Sequence, residues 1–223
     1  MSLEFRALVF SVRGLTGLLC RVDDRALAKI PLEGPMILVC NHINSLEVPL
    51  VFSRLTPRQV TGFAKSETWD NPLLGKMFDM WGAIPLKRDY PDIVALRSGL
   101  KALEQGKIVA ISPEGTRSWD GRLQQGHPGI VTLALRANAP ILPLAYYGGE
   151  KFSENLRRLR RTDFWIEVGQ PFYLTTRGER VNGEIRRKIT DEIMFQLAML
   201  LPPKYRGMYA DFTAASKKFL RFV

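Results

Sequence analysis

The sequence predicts an α/β protein with a mostly parallel central sheet flanked by helices and an N-terminal amphipathic helical segment. Short β-rich apolar runs recur along the chain: "MILVC" (36–40), "VTGFA" (60–64), "GAIPL" (82–86), "IVAIS" (108–112) and "ILPLAYY" (141–147). Helix-length amphipathic segments separate most of them, and strand, helix, strand in alternation is the pattern of parallel pairing. A hydrophobic fraction of 46% with 24% charged residues is ordinary for a globular chain, and 223 residues suffice for a substantial core.

The elements follow in order. In "LEFRALVFSVRGLTGLLCRV" (3–22), Phe5, Leu8, Val9, Val12, Leu15 and Leu19 recur at helical spacing, with Arg6, Arg13 and Arg21 between them. Its uncharged runs fall well short of the ~20 residues that span a bilayer, so it is not a transmembrane helix. It packs on the core, or it lies in a membrane interface with its cations toward headgroups. Residues 1–30 are therefore set apart as a membrane-associating helical segment, and 31–223 as the α/β domain.

"WDNPLLGKMFDMWG" (69–82) is a second apolar helix, lining an acyl groove, dipping into lipid or packing in the core. "FWIEVGQPF" (164–172) reads as a late strand, and "NGEIRRKITDEIMFQLAMLL" (182–201) as a long helix stopped by Pro202 and Pro203.

Thirty-two Lys and Arg against twenty-two Asp and Glu leave +10, which favours anionic partners. The basic cluster "RRLRR" (157–161) is a solvated face or a docking site for an anionic bilayer. The tail "YADFTAASKKFLRFV" (209–223), mixing aromatics with cations, is a second such candidate. No nucleic-acid motif accompanies the charge, so nucleic acid is not expected as a partner. Cys20 and Cys40 are isolated thiols and no small-residue cleavage site follows the first apolar stretch, so a cytoplasmic, disulfide-free protein is expected.

In open α/β sheets, ligands collect at the carboxyl ends of strands. There stand "NHINSLE" (41–47), "KRD" (87–89) and "PEGTRS" (113–118). His42 and Glu47 are five positions apart, which on one ideal helix separates them around the axis. They meet only if His42 lies in the turn before a helix starting near Asn44 or Ser45, with Glu47 in its first turn, and Pro49 suits that placement. Glu47 then orients His42 as a general base. Asn44 and Glu47 also match a capping box that requires no chemistry. In the second stretch, Arg88 is either a phosphate ligand or a surface partner of Asp89. In the third, Gly115 permits close backbone approach, while Thr116 and Arg117 suit a phosphate. His127, between Gly126 and Pro128, is read as a loop histidine.

"NHINSLE", "GAIPLKRD", "SPEGTRS" and "APILPLA", in that order over about residues 35–175, resemble the four sequence blocks of the glycerolipid acyltransferases, the 1-acyl-glycerol-3-phosphate acyltransferase family. The resemblance implies transfer of a fatty acyl group to the hydroxyl of a lysophospholipid. The donor would be an acyl-CoA or acyl-carrier-protein thioester, with no cofactor and no metal. It makes His42 the base and Glu47 its orienting acid. Arg88 and the Glu114, Gly115, Thr116, Arg117 loop would hold the acceptor phosphate, with Lys65 near the site. It further implies a peripheral protein at an anionic membrane surface, on the cytoplasmic face of the cell membrane. Two positions depart from the family pattern: Glu47 stands where aspartate is usual, and Gly126 and His127 stand where an aromatic and a lysine are common. Other readings are a different acceptor, such as glycerol-3-phosphate or a non-phosphate amphiphile, and a noncatalytic lipid-binding relative.

Overall fold

The computed structural model describes residues 3–87 and 92–223. Nine strands form one sheet among these residues: β1 (Cys20–Asp23), β2 (Met36–Cys40), β3 (Val60–Lys65), β4 (Ile84–Leu86), β5 (Ile108–Ile111), β6 (Ile141–Tyr147), β7 (Thr162–Val168), β8 (Phe172–Leu174) and β9 (Leu220–Phe222). The helices are α1 (Leu3–Leu19), α2 (Glu47–Leu55), α3 (Pro72–Met80), α4 (Ile93–Glu104), α5 (Gly129–Ala137), α6 (Phe152–Arg157) and α7 (Gly183–Leu200).

The sheet order is β1-β7-β6-β2-β5-β3-β4, with β8 pairing β6 and β9. Strands β6, β2, β5, β3 and β4 are mutually parallel. β7 is antiparallel to β6 and carries β1 parallel to itself. β2 is central and buried at all five positions, which is why "MILVC" is unbroken rather than alternating. Successive side chains on a strand face opposite ways. Ile37 and Val39 enter one apolar cluster with α5 and α7, and Leu38 and Cys40 enter another with α2.

The N-terminal segment is helical only to Leu19, because Cys20–Asp23 joins the sheet edge against β7. α1 packs on α2, where the nearly buried Arg54 ties them together. Its guanidinium donates to Asp24 at 3.1 Å, to the Thr16 hydroxyl at 3.0 Å and to the Leu50 carbonyl at 3.2 Å. Of the expected stripe, Phe5, Leu8, Val9, Val12 and Leu19 are turned inward or half-buried and Leu15 is exposed, while Leu3, Phe10 and Leu18 form a second, exposed apolar face.

The late strand expected over 164–172 is two strands. After Val168 the Gly169 N–H donates to the Pro143 carbonyl at 2.9 Å, and the chain turns through Pro171, which has no N–H, into β8. The tail is not a free basic arm. Phe219 and Leu220 are buried, and the carboxylate of buried Glu192 accepts the N–H groups of Lys218 and Phe219 at 2.9 and 2.8 Å. Phe222 packs on Phe172. The 69–82 stretch is α3, capped by Asn71, whose side chain accepts from Leu73 and Leu74. It buries Trp81 and exposes Leu73.

Candidate active site

β2 delivers the chain to its carboxyl end, where buried Asn41 fixes the next turn. Its side-chain amide donates to the Tyr146 carbonyl at 2.9 Å and accepts the Tyr146 N–H at 3.0 Å, fastening the end of β2 to β6. His42 follows on the turn. The Asn44 side chain donates to the Gly149 carbonyl at 2.8 Å and accepts from Leu46 N–H at 2.8 Å. Helix α2 begins at Glu47, two or three residues later than its capping pattern suggests, because Asn41–Leu46 is committed to this turn.

Glu47 is buried at the head of α2 and uses its two oxygens differently. Oε1 accepts the Asn44 N–H at 2.7 Å, the return half of a capping box. Oε2 lies 3.4 Å from Nδ1 of His42 and has no hydrogen-bond partner among the described residues. The capping and catalytic readings of this carboxylate are therefore compatible. With Nδ1 toward Glu47, the other ring nitrogen, Nε2, is the one left for a substrate proton.

Glu114 does not face the ligand space. It is buried, and its carboxylate accepts the backbone N–H of His42 at 2.8 Å and that of Gln124 at 2.9 Å. Burial pushes this carboxyl up to about 7, against the opposing effect of the two N–H donors. The same loop clasps the His42 turn from its other side: the N–H groups of Ser118 and Trp119 donate to the carbonyls of His42 and Ile43 at 2.8 and 3.1 Å. Glu114 is thus a brace for the base, and the backbone of 118–119 completes it.

An open cavity of about 1360 Å³ starts at His42 and runs between α2, α3, α4 and α5. Its polar rim includes Ser45, Thr116, Arg117, His127 and Arg186, and its interior includes Phe52, Phe63, Met77, Phe78, Trp81 and Leu133. Arg117 is exposed at the rim, with its guanidinium 5.3 Å from the Trp119 ring centre. Gly115 has φ +66, where glycine is favoured, and a Cβ there would lie 3.2 Å from the His127 ring, which would have to shift by a few tenths of an ångström. His127 sits in a loop as expected, its N–H donating to the Pro113 carbonyl at 2.8 Å, yet its ring borders the same cavity as His42. Lys65 lines the cavity wall but pairs with Glu67 at 2.7 Å, half exposed. Arg88 lies outside the described residues. Among the described residues there is no group of three or more His, Cys, Asp or Glu suited to a metal ion.

Sequence reasoning brought together His42, Glu47, Gly115, Thr116 and Arg117, which the structure gathers at one cavity mouth. It missed Asn41 as a brace and, for Asn44, the bond to the Gly149 carbonyl, although asparagines flanking a histidine after a strand are residues that hold turns.

The arrangement places an imidazole with a buried carboxylate behind it, an apolar space in front and a guanidinium at the rim. The sequence model of the Acyltransferase family matches residues 21–147. The chain is 28% identical over 145 residues to the 1-acyl-sn-glycerol-3-phosphate acyltransferase of Bacillus subtilis (strain 168), covering 65% of this chain and 70% of that one. It is 28% identical over 181 residues to the 1-acyl-sn-glycerol-3-phosphate acyltransferase BAT2, chloroplastic, of Brassica napus, covering 78% of this chain and 51% of that one. The match thus spans about half the length of the plant relative. The crystal structure of the 1-acyl-sn-glycerophosphate (LPA) acyltransferase, PlsC, from Thermotoga maritima aligns with a TM-score of 0.66 at 20% identity. That alignment covers 88% of this chain and 78% of that one, a likeness of fold.

Proposed function

The chain belongs to the Acyltransferase family, and from that membership we propose its reaction: transfer of a fatty acyl group from an acyl-CoA or acyl-carrier-protein thioester to the hydroxyl of a lysophospholipid such as 1-acyl-glycerol-3-phosphate, in phospholipid biosynthesis. The observation that carries it is His42, backed by Glu47, at the mouth of a largely apolar cavity with Thr116 and Arg117 on its rim.

The step balances without a protein nucleophile. Nε2 of His42 takes the proton of the acceptor hydroxyl as its oxygen attacks the thioester carbonyl carbon. The carbon–sulfur bond breaks, and the leaving thiolate takes the proton back from the imidazolium. An ester and a free thiol result, with His42 restored. Glu47 stabilises the imidazolium and holds the ring, while Glu114 and the N–H groups of 118–119 hold the backbone beneath it. Arg117 and Thr116 bind the acceptor phosphate, and the apolar interior takes an acyl chain.

Such substrates reside in a bilayer. No helix among the described residues is long and apolar enough to cross one. The exposed face of α1, with Leu3, Phe10 and Leu18, supports peripheral attachment to a membrane.

The test is incubation of the purified protein with vesicles, both thioester donors and a panel of lysolipids with and without a phosphate. Ester formation on a phosphate-bearing acceptor, lost in His42→Ala, is the expected result; full activity in His42→Ala overturns the mechanism.

A further inference from the structure

The reversal between α6 and β7 holds a leucine that does nothing for the fold. α6 ends in a tight reversal, the Arg160 N–H donating to the Asn155 carbonyl at 2.8 Å and the Leu159 N–H to the Leu156 carbonyl at 3.1 Å. Leu159 occupies the left-handed position of this reversal, with φ +52, where glycine is the favoured residue. Its side chain is 95% exposed. Leucine there loses backbone ease and gains no burial, so what it contributes lies outside the folded chain. Arg157, Arg158 and Arg160 flank it, all exposed, and only Arg158 has an acidic partner among the described residues, Glu154 at 3.1 Å. Arg161 is engaged differently: it donates to the Gly17 and Cys20 carbonyls at 2.7 Å each, fastening the reversal to the carboxyl end of α1.

Register places this tip. β7 runs antiparallel to β6, with Trp165 opposite Tyr147, so Thr162 lies beyond the carboxyl end of β6. The reversal before Thr162 is therefore at the end of the sheet where β2 presents His42.

We propose that Leu159, ringed by Arg157, Arg158 and Arg160, is a lipid-insertion tip that docks the catalytic end of the protein on an anionic bilayer, the leucine entering the interface and the arginines meeting lipid phosphates. Charge complementarity selects the anionic bilayer, and a fully exposed leucine among the cations, with the half-exposed Leu156 beside it, fits an acyl layer better than a polyanion in water. The purpose of this docking rests on the proposed reaction, in which the acceptor lies in a membrane; the docking itself does not.

The experiment is sedimentation of the 223-residue chain with phosphatidylglycerol–phosphatidylcholine vesicles and with phosphatidylcholine vesicles alone. Leu159→Gly suits the left-handed position, so its melting temperature should hold or rise, while its affinity for the anionic vesicles should fall about tenfold. Changing Arg157, Arg158 and Arg160 together to Gln should weaken that binding roughly a hundredfold. In Leu159→Trp, blue-shifted tryptophan emission on adding the anionic vesicles is expected beyond any shift of the unsubstituted protein. Unchanged vesicle affinity in Leu159→Gly, or tighter binding of the protein to heparin than to vesicles with no dependence on Leu159, overturns the proposal. If acyl transfer is absent in every form while these vesicle results hold, the proposed reaction falls and the docking tip stands.

Discussion

Nδ1 of His42 lies 3.4 Å from Oε2 of Glu47, while the other oxygen of the same carboxylate accepts the Asn44 N–H at 2.7 Å and ties down the turn that leads into α2. One side chain thus sets both the start of a helix and the environment of the base beside it. With Glu47 as the first residue of α2, its carboxylate oxygen comes within 3.4 Å of the imidazole.

For His42→Ala we expect transfer to fall by at least a hundredfold, the scale of a lost general base. The His42 ring is only partly buried and its turn is held through backbone groups, so the melting temperature should stay nearly unchanged. Parallel activity and thermal-melt measurements check both halves; a collapse in stability would tie His42 to the fold instead.

Glu47→Asp cannot reach both partners from its shorter side chain. It should cost about 1 kcal/mol of stability through the cap and lower kcat at least tenfold. Higher activity in Glu47→Asp than in the unsubstituted protein would mark a chain whose dyad has drifted from competence. Glu47→Gln keeps an oxygen for the Asn44 N–H, so its loss should fall on kcat more than on stability.

Glu114 gives a pH dependence of stability. Its folded value of about 7 lies above its ordinary 4.5, so its protonated form binds the folded state better. The stability it confers is fully present below about pH 4.5 and is lost as the pH rises to about 7, by roughly 3 kcal/mol. Glu114→Gln cannot ionise, so its unfolding free energy should lack this decline. Denaturant melts across that window compare the two; identical pH slopes would assign the effect to another group.

Arg117→Lys keeps the charge but loses the planar fork that grips a phosphate. We expect KM for a phosphate-bearing acceptor to rise at least tenfold with kcat little changed, and no comparable effect on an acceptor without a phosphate. Steady-state kinetics on both acceptors make the comparison, and equal losses on the two would remove Arg117 from phosphate recognition.

Gly207 has φ +51, and a Cβ there would overlap the backbone carbonyl of Leu123. The Met208 N–H donates to that carbonyl at 3.1 Å, and the Leu123 N–H donates to the Tyr205 carbonyl at 2.9 Å, so the segment after α7 clamps the loop that carries Glu114. Gly207→Ala should destabilise by about 2 kcal/mol or more and reduce activity through that loop. A thermal melt together with the transfer assay checks this; an unchanged melt would show that the clamp yields without cost.

The strands at the centre of the sheet were legible because parallel strands buried on both faces leave unbroken apolar runs, as at 36–40 and 141–147. β1 and β9 were not. Cys20–Asp23 is half polar and continues an apolar helix, and Leu220–Phe222 sits among lysines and an arginine. Each becomes a strand only because an edge partner, β7 or β8, supplies the hydrogen bonds.

The sequence by itself determined the fold class and the family, and it named His42, Glu47 and the 114–117 loop as the proposed base, acid and phosphate loop. Apolar periodicity and motif spacing are properties of the chain alone. Tertiary structure decided what each polar group faces. Glu114 reads as one more polar residue of a ligand loop, but packing of 118–124 over the His42 turn buries it and turns both its oxygens onto backbone N–H groups. Leu159 reads as one apolar residue in a basic run, and only the reversal after α6 leaves it standing in water. Burial and direction depend on which distant segment covers a side chain, and that is settled when the sheet closes.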